Sequence, residues 1–164
     1  MKAAGIILIV LLLAAVAGLG LLYLTSGFDV TYSECIVTDA VTQADYFAQI
    51  KKQVANDTFI GTRFSKAEIS SADQYVFYTY TLRLRNKAHL KAEVIEIRVT
   101  PMDGDVLQIG ETTPYDLNAD RSMDLSVTIL TDRSMHSVRE ATVTWYIWGI
   151  PFSEKVMLGG QGSR

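Results

Sequence analysis

The chain has 164 residues, 15 basic against 18 acidic, a net charge of −3 and a single cysteine. That balance gives no electrostatic reason to seek nucleic acid, and one cysteine excludes an internal disulfide. The apolar excess is concentrated in one N-terminal run, and the remaining ~140 residues are the size of one ordinary domain, about −4 once Lys2 is set aside.

Ala3 to Leu24, AAGIILIVLLLAAVAGLGLLYL, carries no charge. At 1.5 Å per residue it makes a rod of about 33 Å, enough to cross a hydrocarbon core of about 30 Å. Residues 1–24 are therefore expected to form a transmembrane signal-anchor helix, with membrane contact through residues 3–24. Lys2 precedes it, whereas Asp29, Glu34 and Asp39 are the first charges after it. The positive-inside bias then puts the N-terminus in the cytoplasm and the C-terminal domain outside. The alternative is secretion after signal cleavage near Ala17, since Ala15-Val16-Ala17 is a small-residue pattern. Against cleavage, GLGLLYL would remain as an apolar terminus. Gly18 and Gly20 lack GxxxG spacing. Cys35 follows Ser33-Glu34, so no lipobox precedes it.

Residues 25–29 read as a juxtamembrane link and 30–158 as a β-sandwich domain. Val30 to Thr38 is β-branched and predicts a first strand. Cys35 within it reads as a buried strand cysteine, with pairing between chains as the alternative. An amphipathic helix is expected at about 43–56: Thr42 can cap it, and Phe47, Ile50 and Val54 fall on one face. Thr58 to Asp73 reads as loop with a helical turn at Ser65 to Ile69. Tyr75 to Arg85 then alternates, with Val76, Tyr78, Tyr80, Leu82 and Leu84 on one face. Val94 to Thr100 alternates again, and Asp103-Gly104 predicts a hairpin into Val106 to Ile109. Thr112-Thr113-Pro114 breaks that strand. Met123 to Ile129, Ala141 to Ile147 and Phe152 to Leu158 complete the set, with polar turns at Asn118 to Arg121 and Asp132 to His136. Residues 159–164 read as a flexible tail. Seven or eight short strands with a turn about every ten residues predict a mainly β, antiparallel sandwich with one inserted helix.

From Tyr75 onward the order of features resembles small bacterial envelope domains. YTYTLRLRNKA resembles their strand ending in a basic-Asn turn; VIEIRVTPMDGDVLQI, a strand–DG–strand unit; and DLNADRSMDLSVTIL, the polar turn and strand that follow. These are immunoglobulin-like sandwiches of the FxLYD and water-stress (late-embryogenesis-like) type. The family's name motif, Phe-x-Leu-Tyr-Asp, is absent here. The resemblance covers about half the chain and implies an immunoglobulin-like fold and an envelope setting, with no active site.

No residue pattern points to a cofactor, metal or catalytic site. Asp116-Leu117-Asn118-Ala119-Asp120 has oxygen side chains at alternate positions, as a calcium loop does, but Arg121 stands where a glycine is needed and Val127 where a glutamate is needed. A polar turn is the simpler reading. His89 and His136 lie in loops far apart in sequence, and no spacing fits zinc. GxSxG, SxxK and phosphate-loop motifs do not occur. Asn56-Asp57-Thr58 is a glycosylation sequon, meaningful only in a eukaryotic secretory setting.

The aromatic residues remain. If the strands carrying them are neighbours, Phe77, Tyr146 and Trp148 share one face and form an interaction patch. The alternative is that Phe47, Ile50 and Val54 of the helix cover that face. The reading that follows is a membrane-anchored extracytoplasmic module that presents a surface to a protein partner in the envelope, without covalent chemistry. The alternatives are a small-ligand or glycan binder using the aromatics, and an envelope hydrolase whose site assembles only in space.

Overall fold

The computed structural model describes residues 2–110 and 114–159, with side chains from Gly5 onward. The chain is mainly β, two antiparallel sheets following one N-terminal apolar helix. Helix α1 runs Lys2–Thr25, and its Gly5–Thr25 portion has a mean hydropathy of 2.9 with none of it buried in the protein. It is long and apolar enough to span a membrane or to serve as a signal sequence. Every backbone bond in such a helix is satisfied internally, so its apolar side chains can face lipid all round.

Among the described residues nine strands follow: β1 (Phe28–Asp39), β2 (Thr62–Arg63), β3 (Tyr75–Asn86), β4 (Ala92–Val99), β5 (Asp105–Gly110), β6 (Tyr115–Leu117), β7 (Ser122–Asp132), β8 (Arg139–Ile147) and β9 (Ile150–Leu158). Helix α2 (Ala44–Ala55) lies between β1 and β2, and a single 3-10 turn, Ala72–Gln74, precedes β3. One sheet has the order β1-β3-β7-β5-β2 and the other β6-β4-β8-β9. With β1, β3, β7 and β5 in one sheet and β4, β8 and β9 in the other, the strands divide as in an immunoglobulin sandwich.

The alternation of β3 translates directly into packing. Val76, Tyr78, Tyr80, Leu82 and Leu84 are buried against Leu125, Val127 and Ile129 of β7 and against Ala141, Val143, Trp145 and Ile147 of β8. Each large side chain taken out of water there contributes roughly 1.5–3 kcal/mol. A second, smaller core lies on the outer face of the β1-β3-β7-β5-β2 sheet. Phe47 and Ile50 of α2 cover Phe77, Leu107 and Leu130, with Val54 at the margin.

Several local expectations give way to nonlocal packing. Asp103-Gly104 is no hairpin: β4 pairs β6 and β8, whereas β5 pairs β2 and β7, so the turn carries the chain from one sheet to the other. The Gln108 side chain spans the gap that this crossing leaves. Its Oε1 accepts from Val99 N (2.8 Å) and its Nε2 donates to Ile97 O (2.9 Å), standing in for a strand neighbour. Helix α2 starts after Gln43 without a side-chain cap, so Thr42 does not cap it. Ser65 to Ile69 forms no helical turn. Strands β2 and β6, of two and three residues, are additional to those expected. Residues 160–164 of the expected tail, and Thr112-Thr113 of the expected break, lie outside the described residues.

The sandwich has two distinct ends. At one end Phe28 pairs with Asn86, and its ring meets Trp145 edge-on at 4.7 Å. Helix α1 enters there, Leu22 packs on the main core, and the β8–β9 turn lies at the same end. The opposite end carries α2, the Asp103-Gly104 crossing and the 133–138 loop.

Candidate interaction surface

The three aromatic residues expected to share a face do not. Phe77 on β3 is 2% exposed beneath α2, with the Tyr46 ring 5.6 Å away, as the covering-helix alternative requires. Tyr146 lies on β8 of the other sheet and Trp148 in the turn that follows it, 40% and 75% exposed. Strand β3 lies between β1 and β7, and β8 between β4 and β9, so the strands are not neighbours. Tyr146 and Trp148 remain a surface pair; Phe77 is core.

The polar candidates are likewise dispersed. Asp116 is occupied structurally: its Oδ2 accepts from Lys91 Nζ (2.7 Å) and its Oδ1 from Val94 N (3.1 Å). The Lys91 bond, then that of Val94, holds the Asp116 carboxyl below the usual aspartate range. Asn118 closes a turn by accepting Arg121 N at 3.3 Å. His89 sits in the loop after β3 at the α1 end, and His136 in the loop after β7 at the other. Among the described residues no three His, Cys, Asp or Glu side chains gather to hold a metal ion.

The surface that the structure does assemble is the β1 edge, one of four sheet edges among the described residues. An open edge offers unpaired N–H and C=O groups to any extended chain, and proteins ordinarily blunt it. Strands β2 and β6 are too short to offer a template. Strand β9 carries Pro151 and Lys155, and Glu154 turns inward to accept Phe28 N at 3.3 Å. Strand β1 has twelve residues, no lysine and no proline, one bulge between Val30 and Tyr32 and three acidic residues, and among the described residues it pairs on one side only. Its Val30, Tyr32, Ile36 and Val37 are 41–54% exposed.

The sheet face beside that edge is polar and bonded across its strands. Thr79 and Thr128 share a hydrogen bond across β3 and β7 (2.9 Å), as do Thr81 and Ser126 (3.1 Å). Arg83 meets Asp124 with two bonds, 2.6 and 2.7 Å, and its guanidinium lies 5.9 Å from the Tyr32 ring centroid. Tyr32 donates to Glu34 Oε2 at 2.8 Å, which raises the pKa of the phenol. Cys35 faces inward, half-buried and free, opposite Tyr80; burial pushes its thiol pKa up.

Sequence reasoning placed β1 but missed its edge position. One signal was available. Both faces of FDVTYSECIVTD mix apolar and polar side chains, as a strand covered on neither side can. The chain matches no protein-family model, and no curated protein matches it in sequence.

Proposed function

We propose that this chain is a membrane-tethered, extracytoplasmic interaction module of a cell envelope, without covalent chemistry of its own. It takes up an extended segment of a protein partner along β1. The observation that carries the reading is the contrast among the edges of the described strands: three are short or carry proline and lysine, whereas β1 is long, pairs on one side only and exposes Val30, Tyr32, Ile36 and Val37 among its acidic residues. Strand addition uses main-chain hydrogen bonds for affinity and alternate side chains for specificity. Tyr32 and Ile36, on the outer face opposite Arg83 and Thr79, are exposed to supply such contacts. Lys2 before α1, and acidic Asp29 and Glu34 after it, support an N-terminus in the cytoplasm and a domain outside. Kinship with the FxLYD and water-stress-type domains belongs to the same proposal, supported by the division of strands between the two sheets.

The test is crosslinking of the full-length protein in its native membrane, followed by capture and mass spectrometry. The expected result is one stoichiometric protein crosslinked at β1. Ile36→Lys with Val37→Lys abolishes its recovery while leaving the thermal unfolding of the domain unchanged. Absence of a partner overturns the reading, and so does a partner that this folded double variant still retains.

A further inference from the structure

We propose that the β8–β9 turn is a second membrane contact, seating Trp148 in the interface of the leaflet from which α1 emerges. The inference rests on the reading of α1 as a retained anchor. Its ligand is the lipid surface itself.

The position of the turn follows from packing at the α1 end. Tyr23, in the last turn of α1, has its ring 6.0 Å from Phe152, and Phe152 stacks on its cross-strand partner Trp145 at 6.0 Å. The hairpin continues past that level for three more residues, about 10 Å at strand rise. The turn thus extends beyond the point where the helix meets the domain.

Its chemistry suits that depth. Residues 141–153, ATVTWYIWGIPFS, contain no charged side chain. Trp148 is 75% exposed, and Tyr146, Ile150 and Pro151 around it are exposed as well. Tryptophan and tyrosine are the residues that gather where an apolar ring meets hydrated headgroups. Lys87, His89 and Glu154 line the crevice between α1 and β9, together with Tyr23 and Phe152, and Lys87 is paired with Asp29 at 3.0 Å, so the crevice is polar with both charge signs, as a headgroup layer is.

The backbone supplies an independent argument. Ile147 and Ile150 pair directly, leaving a two-residue turn with φ of 52° at Trp148 and 76° at Gly149. Both lie in the left-handed region, where hairpins of this type favour Asn-Gly. A bulky ring in that conformation, three-quarters exposed, is strained for little gain in folding. Strain of this kind concentrates where a residue serves binding.

The test uses the full-length protein in phosphatidylcholine vesicles with and without bromine on the acyl chains just below the headgroups. Trp145→Phe leaves Trp148 as the only tryptophan. The expected result is blue-shifted emission, loss of intensity in brominated vesicles, and protection from iodide. Should Trp145→Phe not fold, the difference in quenching between the native protein and Trp148→Ser reports the same residue. Water-like emission without bromolipid quenching overturns the proposal. So does protection from iodide without bromolipid quenching, which places a second copy of the chain over the turn. Alkaline extraction separates the two readings. Protein retained in the pellet with an unquenched Trp148 overturns only the contact, whereas extracted protein overturns the anchor and the contact together.

Discussion

Arg139 and Asp105 join the two sheets through an ion pair held wholly out of water. Arg139 Nε donates to Asp105 Oδ2 (3.1 Å) and Nη2 to Oδ1 (2.9 Å), and both side chains are fully buried. The remaining bonds are local: Asp105 Oδ2 accepts Met102 N, and Arg139 Nη1 donates to the carbonyls of His136 and Val138. Strand β8 is thereby tied at its first residue to the first residue of β5 in the other sheet. Removing one partner leaves a buried, uncompensated charge, so Asp105→Ala is expected to cost about 3–5 kcal/mol. Asp105→Ala with Arg139→Met removes both charges and should cost less than the single change. Urea unfolding of the full-length protein in detergent micelles measures both, and equal losses would contradict the argument.

Asn86 plays the corresponding part at the α1 end, where it is 1% exposed. Its Nδ2 reaches the carbonyls of Leu90 (2.9 Å), Leu117 (3.1 Å) and Asn118 (3.3 Å), and its Oδ1 accepts Ala88 N (2.9 Å). Asn86→Ala leaves these groups unpaired, at about 1–3 kcal/mol. Asn86→Asp at pH 7 turns an oxyanion towards three carbonyls and should destabilise more. Its protonated form can donate, so the Asp variant alone should recover part of the loss in acid. Thermal midpoints of the three proteins at pH 7 and pH 4 give the comparison.

Phe77 and Trp148 should behave oppositely on substitution. Phe77→Ala empties a site in the smaller core between Phe47, Ile50 and Leu130 and should cost about 3–5 kcal/mol. Trp148→Asn replaces a strained ring with the residue that this turn type prefers. A gain of several tenths of a kcal/mol in the unfolding of the micellar protein is expected. A loss of stability comparable to that of Phe77→Ala would show that Trp148 packs as core.

Acid should weaken the fold through exposed carboxylates on its loops and outer face. Bonds from Arg83 hold Asp124 below the usual range, Lys91 and Val94 N do so for Asp116, and Ser134, through its amide and hydroxyl, does so for Asp132. In each case folding favours the ionised form. The stabilisation is therefore present above the unfolded value near pH 4 and is lost as pH falls through the lower folded values. These groups face solvent, so each effect is small and reduced by salt. The urea midpoint should drop between pH 5 and pH 2, and Asp124→Asn should flatten that drop while lowering the midpoint at pH 7.

Much of the domain was legible in the chain because the signals are local. The alternation of Val76 through Leu84 predicts which face is buried, and Phe47, Ile50 and Val54 predict the apolar stripe of α2. Strands β2 and β6 escaped notice because two or three residues hold no period. Asp103-Gly104 misled because a tight turn has the same local chemistry whether the next strand pairs with the last or crosses to the other sheet.

The sequence alone determined an apolar span of membrane length and a set of antiparallel strands with an inserted helix. Each of these depends on side-chain type and spacing along a few consecutive residues. Only the tertiary structure decided that Phe77 is core while Trp148 is surface, and that β1 is an open edge. It likewise decided that the β8–β9 hairpin meets the end of α1 through Phe152 and Tyr23. Those facts depend on which strands become neighbours, and neighbours are chosen by contacts between distant residues, such as Arg139 with Asp105 and Phe28 with Trp145.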